Sequence, residues 1–350
     1  MKVLHLPAPV GNHGYSMAMA ERRAGLESES VIVDSNKFNF PADNKIQTAA
    51  GYKKLFDLAK YLLEIRGKYD IYHFNFAKSL LDFPQKKLDL LDLQFYKGSN
   101  FFTFNGSDIR QTVSRDINPY TPFSDGVPEV VHGLLNKHKR LRLKKILNYA
   151  EHCFVLNPDL MRFFPEGRAS FLPYIKFVWF EIERQKKNFT KSKVLRIVHA
   201  PTNRMVKGSE ALIDTINELK KTHPVELVLV ENVSYQDALK MYQSADIIVD
   251  QMRIGWYGGL ALEAMKMGIP VACYINDSDL QFIPEMMKVA LKESIININK
   301  DNLMERLIEL IQNRDLLNTI SDNGFDYVQE FHNPDILIKS VIERYRLATE

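Results

Sequence analysis

Short apolar runs rich in β-branched and aromatic residues alternate with stretches of helical periodicity, and they do so in two successive rounds. In the first round, residues 2–6, 30–34, 71–76, 101–105 and 153–156 read as strands. Between them, Leu55, Leu58, Ala59 and Leu62 of segment 51–66 recur at the spacing of one helix face. The pattern breaks near 171–193, where Leu172-Pro173 ends a strand-like run and 181–193 is polar and mostly charged. It then restarts with strands at 194–199, 225–230, 246–250 and 269–274 and helices at 209–221, 235–243 and 259–267. Segments 302–313 and 335–348 close the chain with helical periodicity. Strands that are apolar on both faces need cover on both, which implies parallel sheets between helical layers. The expected architecture is α/β, with two doubly wound halves facing a central cleft. Such sheets bind ligands at the carboxyl ends of their strands. The first domain is expected at 1–175, a linker at 176–193, the second domain at 194–332, and a final helix at 333–350 packed back on the first.

The length of 350 residues fits about two domains. With 45% hydrophobic and 25% charged residues, disorder, collagen and coiled coil are excluded as the main architecture. A net charge of +3 is too small to argue for wholesale nucleic-acid binding, so no nucleic-acid partner is expected. Cys153 and Cys273 both sit in apolar strand-like runs and read as buried thiols of a reducing compartment. The start lacks a secretory signal, and no uncharged apolar run reaches 18 residues. A soluble, cytoplasmic protein is expected.

Two loops carry the chemistry of the second half. The segment His199-Ala-Pro-Thr-Asn-Arg-Met-Val-Lys-Gly-Ser-Glu210 sits between a strand and a helix, with Asn203, Arg204 and Lys207 on the loop and Gly208-Ser209 opening the helix. Helix amides favour an anion, Gly lets a phosphate approach the backbone, Arg forks onto phosphate oxygens and Lys adds a point charge. The alternative is an exposed loop with two solvated cations. In Gly255-Trp-Tyr-Gly-Gly-Leu-Ala-Leu-Glu263, Gly258, Gly259 and Leu260 offer a second set of amides. Glu263, read in the first turn of that helix, either accepts from the hydroxyls of a ribose or complements the helix dipole.

Taken together, these segments resemble the nucleotide-sugar half of a GT-B glycosyltransferase of family 4, with two Rossmann-like domains. The matching stretches are Arg204, Lys207 and Gly208, the run Met241-Tyr-Gln-Ser-Ala-Asp-Ile-Ile-Val249, and Leu262-Glu-Ala-Met through Gly-Ile-Pro-Val271. The resemblance implies that Lys207 and Arg204 hold the donor diphosphate and that Glu263 binds ribose. Two departures stand out. The family has a second Glu eight positions before Glu263, where this chain has Gly255, and Asp250 or Gln251 are the nearby substitutes. Arg204 also lies only three residues before Lys207, closer than the family spacing.

The first half should face the acceptor. Gly11-Asn-His-Gly14 resembles the family's Gly-rich first loop, with Gly14 against the donor phosphates and Asn12 on the acceptor side. His13 could position an acceptor hydroxyl, act as an acid or base, or be an exposed loop residue. Phe101-Phe-Thr-Phe-Asn-Gly-Ser-Asp-Ile-Arg110 resembles the family's His-Gly-Ser-Asp turn, with Asn105 where the His stands. Asp108 and Arg110 could bind acceptor hydroxyls or an anion, or pair with each other. Asp277-Ser-Asp279 spells a metal signature of another glycosyltransferase architecture, out of place this late in a doubly wound half, and no metal is expected.

Segment 137–145 carries six cations and His138, followed by the apolar stripe Leu143, Ile146, Leu147 and Ala150. It reads as a solvated helix face or as a dock for an anionic membrane surface. The expected function is transfer of a sugar from a nucleotide-diphosphate sugar, UDP or GDP, to a hydroxyl of a surface glycan or lipid-linked oligosaccharide. By the resemblance the reaction is retaining and uses no tightly bound cofactor. The alternative is a non-catalytic nucleotide-sugar-binding subunit. A dinucleotide oxidoreductase is disfavoured, because no Gly-X-Gly-X-X-Gly follows a strand.

Overall fold

The computed structural model describes residues 1–33, 41–48, 51–84, 88–122, 129–176, 182–191 and 193–350. The chain divides into two units, the first Met1–Gln111, Glu129–Val178 and His332–Glu350, the second Thr112–Pro128 and Trp179–Phe331.

The first unit contains β1 (Lys2–Leu6), α1 (His13–Arg23), β2 (Glu27–Val33), β3 (Asn44–Ile46), α2 (Tyr52–Ile65), β4 (Ile71–Asn75), β5 (Ser99–Phe104), α3 (Glu129–Leu147), β6 (Ala150–Val155) and β7 (Ala169–Phe171). Its sheet runs β3-β2-β1-β4-β5-β6-β7, parallel at every pairing. Position 34, at the end of the second expected strand, lies outside the described residues. Successive strand residues serve opposite faces, as a pleated backbone requires. Leu4, Tyr72, Phe102 and Cys153 join Leu58, Leu62 and Ile146 on one side. On the other, Val3, Ile71, Phe101 and Phe154 meet Met17 and Ala20 of α1. Both cysteines are free and buried, and burial pushes the Cys153 thiol up to about 12.

The closing helix of the chain, Pro334–Thr349, belongs to this first unit, and its Ile338, Val341, Ile342 and Tyr345 complete the second face of the core. Tyr345 also reaches a buried polar chain. Its hydroxyl donates to Glu21 Oε1 at 3.1 Å, while Glu21 Oε2 takes Ser28 Oγ at 2.5 Å and lies 2.9 Å from His5 Nε2. A buried carboxylate needs such partners, because its desolvation is otherwise uncompensated.

The second unit follows with β8 (Leu195–His199), α4 (Arg204–Lys207), α5 (Ser209–Leu219), β9 (Val225–Leu229), α6 (Tyr235–Gln243), β10 (Ile247–Val249), α7 (Gly259–Lys266), β11 (Val271–Cys273), α8 (Glu285–Ser294), β12 (Ile295–Asn297), α9 (Leu303–Gln312) and α10 (Asp315–Phe331); the chain-closing helix is α11. Its parallel sheet runs β12-β11-β10-β8-β9. Leu212, Ile216, Leu303 and Leu307 cover one face, against Leu195, Ile197, Ile247 and Val249. The expected linker lies partly, at 177–181 and 192, outside the described residues. Its residues 182–191 are laid on the second unit: Phe189 is buried, Lys187 Nζ sits 2.9 Å from Asp246 Oδ1, and the Gln185 amide donates to Met267 O.

Residues 112–121 also belong to the second unit, although they follow β5 in the chain. Asn118 Nδ2 donates to Arg253 O (3.1 Å) and Ile254 O (3.2 Å), and Asn276 Nδ2 donates to Ile117 O at 3.0 Å. The Tyr120 hydroxyl donates to Asp301 Oδ2 at 2.8 Å. These bonds strap the segment onto the loops that follow β10, β11 and β12.

Candidate functional site

The carboxyl ends of β8 and β10 meet the start of α7. Lys207 Nζ lies 2.6 Å from Asp250 Oδ1, and Asp250 Oδ2 accepts from the Gly258 amide at 2.5 Å. Asp250 is fully buried, whereas the Lys207 side chain keeps 15% of its surface. An ammonium has three donors, so one bond to Asp250 orients Lys207 and leaves others for a ligand. Gly258 permits this approach, since a Cβ there would stand 3.3 Å from Asp250 Oδ2 and 3.6 Å from Lys207 Nζ. The first amides of a helix have no partner within it. In α7 the Gly258 amide serves Asp250 and the Ala261 amide serves Gly258 O, which leaves those of Gly259 and Leu260 for an anion.

Glu263 is buried in α7, but it is the fifth helical residue rather than a member of the first turn. Gly258 is the N-cap, so the helix begins late and Glu263 sits one full turn inside, beyond the reach of the terminal amides. It lies close enough to Tyr242, with Asp250, for both carboxylates to help burial raise that phenol.

Neither substitute for the missing Glu is free. Both oxygens of Asp250 are engaged. Gln251 braces its own loop: Nε2 donates to Trp256 O and Tyr274 O, each at 2.9 Å, and Oε1 accepts from the amides of Arg253 and Ile254. Gly255 has φ +94°, and a Cβ there would fall 2.7 Å from Asn276 Cβ, so no side chain fits. The loop is anchored below by buried Trp256 stacked on Tyr257, whose hydroxyl meets that of Tyr327 at 2.7 Å.

The remaining residues of the 199–210 segment divide. Asn203 Oδ1 accepts from the Val206 amide and so caps α4. Arg204 forks onto Glu231, at 2.9 and 2.6 Å, and reaches Glu210 at 3.5 Å. It is therefore turned away from Lys207. Gly208, left-handed, joins α4 to α5, and a Cβ on it would touch Met252 and Arg253. Buried His199 ties β8 to β10 through Val249 O and to α5 through Ser209 Oγ, and burial lowers its pKa.

In the first unit, Asn12, His13 and Gly14 are buried at the start of α1. The reading of His13 as an exposed loop residue is corrected: it is the first residue of α1 and 2% exposed. Burial, then the nearby His5, pushes it down to about 3, so it stays neutral at ordinary pH. A Cβ on Gly14 would lie 2.9 Å from Asn75 Nδ2, so the glycine lets α1 pack closely on β4. Asp108 closes its own turn, accepting from the amides of Gly106 (2.8 Å) and Asn105 (3.1 Å), and burial raises its pKa against those bonds. Arg110 forks onto Asp159 at 2.5 and 2.9 Å. Four buried polar atoms here have no protein partner: Asn12 Nδ2 and His13 Nε2 at the start of α1, Asn75 Oδ1 at the end of β4 and Asn105 Oδ1 just after β5. Asn75, last residue of β4, was not singled out from the sequence; a polar residue ending an apolar run was its signal.

Asp279 of the Asp-X-Asp stretch is buried and accepts from Asn276 Nδ2 at 2.7 Å, and no group of three or more metal-ligating side chains occurs among the described residues. On α3, Arg142 is bonded to Asp82 and Asp89, Lys145 to Asp89 O, Lys139 to Arg110 O and Arg140 to Gln111. Leu143, Ile146 and Ala150 are core. Among the described residues, no helix is long and apolar enough to cross a membrane.

No family model matches this chain, and no curated protein does. Solved structures resemble it over nearly its whole length. Sucrose-phosphate synthase from Thermosynechococcus elongatus aligns with a TM-score of 0.65 at 16% identity, covering 99% of both chains. Anabaena HepE in complex with UDP-glucose gives 0.64 at 11% identity, covering 99% of this chain and 100% of the other. An α-glucosyltransferase in complex with UDP-glucose and abasic DNA gives 0.62 at 12% identity, covering 99% of each. At these identities the likeness shows the fold, the GT-B arrangement of two parallel-sheet α/β domains.

Proposed function

We propose that this chain is a glycosyltransferase that moves a sugar from a UDP-sugar to a hydroxyl of a glycan or lipid-linked acceptor, with retention. The observation that carries the reading is the meeting of Lys207, Asp250 and Gly258 beside the open Gly259 and Leu260 amides. A diphosphate placed there would receive the ammonium and two backbone donors. UDP is preferred over GDP because two of the solved structures named above hold UDP-glucose. Glu263, beyond the amides, would take the ribose hydroxyls. Arg204 is left out of this donor site because Glu231 and Glu210 hold it.

In the reaction, the bond from the anomeric carbon to the diphosphate oxygen breaks as the acceptor oxygen bonds that carbon. The acceptor proton passes to the leaving diphosphate, and Lys207 with the α7 amides stabilises the charge that develops there. His13, held neutral with a pKa of about 3, is too weak a base to take that proton. Its bare Nε2, with the amides of Asn12, Asn75 and Asn105, would instead hold an acceptor hydroxyl.

The first test is a thermal-shift panel of UDP, GDP, CMP and ADP on wild type and Lys207→Gln. A nucleotide at 100 times its Kd stabilises by about 2.7 kcal/mol. A UDP shift that the variant loses supports the donor site, and a flat panel removes it. One observation favours a second reading, a binding subunit without turnover: position 255 has no room for a side chain that would touch the transferred sugar. Donor turnover in the presence of glycan acceptors separates the two.

We also infer a peripheral place at an anionic membrane surface inside the cell. Val130, Leu134, Leu135 and Leu141 of α3 are 76%, 63%, 53% and 58% exposed, with Lys137 and Lys144 exposed on the same helix. Co-sedimentation with phosphatidylglycerol vesicles but not phosphatidylcholine, lost in Leu134→Glu/Leu135→Glu, is expected. Equal recovery with both lipids, or with the variant, would overturn it.

A further inference from the structure

Within the strap, Asn118-Pro-Tyr-Thr121 is a turn that its own sequence sets. Proline in second place fixes φ, and the Thr121 amide closes the turn on Asn118 O at 3.2 Å. Asn118 Oδ1 accepts from the Tyr120 amide at 3.0 Å, which holds the side chain in one orientation. Its Nδ2 carries two N–H groups, and they serve two successive carbonyls of the loop after β10, Arg253 O and Ile254 O. Asn118 is buried, and this brace uses its whole amide.

Arg253 extends the brace to the other donor loop. Its Nε donates to Tyr120 O and its Nη1 to Met205 O, both at 3.1 Å, so one guanidinium joins the strap to α4, the helix that carries Lys207. The next carbonyl, Gly255 O, accepts from the amide of Asn276 at 3.0 Å, and Asn276 Nδ2 in turn donates to Ile117 O of the strap. The carbonyls of 253, 254 and 255 are thus held by the strap or by a residue bonded to it. Three positions further on is the Gly258 amide that meets Asp250. Glycine at 255 gives the loop no anchoring side chain there, and Asn118 Nδ2 lies 3.7 Å from where a Cβ would stand.

We propose that Asn118 and Arg253 are positioning residues of the donor site. They act through the backbone of 253–255 and through α4, setting Lys207 and the first amides of α7 at the spacing a diphosphate needs. The proposal rests on the reading that those groups receive the donor. Its consequence is that nucleotide binding by the second unit depends on a residue encoded before α3.

Two measurements on the full chain test this, hydrogen exchange by mass spectrometry over 251–259 without nucleotide, and titration calorimetry with UDP. Asn118→Asp keeps the size and the acceptor for the Tyr120 amide but turns a carboxylate oxygen toward two carbonyls. Asn118→Ala removes the brace, and Arg253→Met cuts its link to α4. Ser294→Ala is the control for lost stability: it removes a buried hydroxyl that bonds Ala290 O and Asn323 O, on α8 and α10. Both Asn118 variants should exchange about tenfold faster over 251–259, and all three brace variants should bind UDP about tenfold more weakly. Ser294→Ala should leave both readouts as in wild type, and circular dichroism checks that each variant folds. Wild-type exchange and affinity in Asn118→Asp overturn the proposal. So does faster exchange with unchanged UDP affinity, or an equal loss of affinity in Ser294→Ala. If wild type binds no UDP while the Asn118 variants still speed exchange over 251–259, the glycosyltransferase reading fails and the brace stands.

Discussion

Lys207 and Asp250 form a 2.6 Å ion pair in which the carboxylate is fully buried and also takes the Gly258 amide. One contact thus joins the loop after β8, the end of β10 and the start of α7. Removing either partner leaves a desolvated group behind. Lys207→Met and Asp250→Asn should each lower the unfolding free energy by about 3 kcal/mol. In urea denaturation the double variant should cost less than the two losses added, by about 1 kcal/mol or more. Additive losses would show that the pair does not interact in solution.

Replacing Gly255 by Glu, which restores the family's spacing on paper, should damage the protein. The left-handed backbone and the 2.7 Å approach to Asn276 Cβ together predict a loss of about 2 kcal/mol or more and no gain in transfer activity. A stable Gly255→Glu variant with higher activity would mean that the loop is arranged differently in solution.

Acid should unfold the protein through its buried histidines. His13 and His332 are held near 3 and His152 near 4, by burial first, while an unfolded His binds a proton near 6.5. Because the folded values are depressed, the unfolded chain binds more protons below pH 6.5. Stability is complete above that value and falls as pH drops toward 3, by at most about 1.4 kcal/mol per pH unit for each histidine. Denaturation at a series of pH values should show this slope, reduced by about one proton in His13→Gln. An unchanged slope in that variant would rule out His13 as a contributor.

Arg110 grips Asp159 with two parallel bonds in a nearly buried setting. Lysine cannot reproduce that fork, so Arg110→Lys should cost about 1–2 kcal/mol in thermal or chemical denaturation. The UDP-induced shift should be unaltered. A loss of that shift would put Arg110 in the ligand's path instead.

The parallel sheets were legible because β-branched and aromatic runs such as 71–76 and 101–105 are apolar on both faces, and α6 was expected at 235–243 and occurs at Tyr235–Gln243. Elements with mixed signals were not legible. Gly324 interrupts the pattern of α10, where it lets that helix approach Met265, with a Cβ contact of 3.1 Å. β12 is three residues long and directly continues α8. In the candidate site, the loops could be read but not the directions of their side chains. Lys207 turns to Asp250 and Arg204, three residues away, to Glu231, because each follows the nearest buried or fixed carboxylate. Spacing alone does not encode that choice. Gln251 looked like a spare polar group, and its commitments to Trp256 O and Tyr274 O are tertiary.

The strap has a practical consequence for anyone who would cut this protein in two. Residues 112–121 satisfy carbonyls of Arg253 and Ile254, the amide of Asn276 and the hydroxyl of Ser278, all far along the chain. A fragment that begins after the expected linker would carry every strand of the second sheet yet lack these bonds. Dissection by sequence order would therefore yield a weakened half, whereas grafting 112–121 onto its amino end through a flexible spacer should restore it.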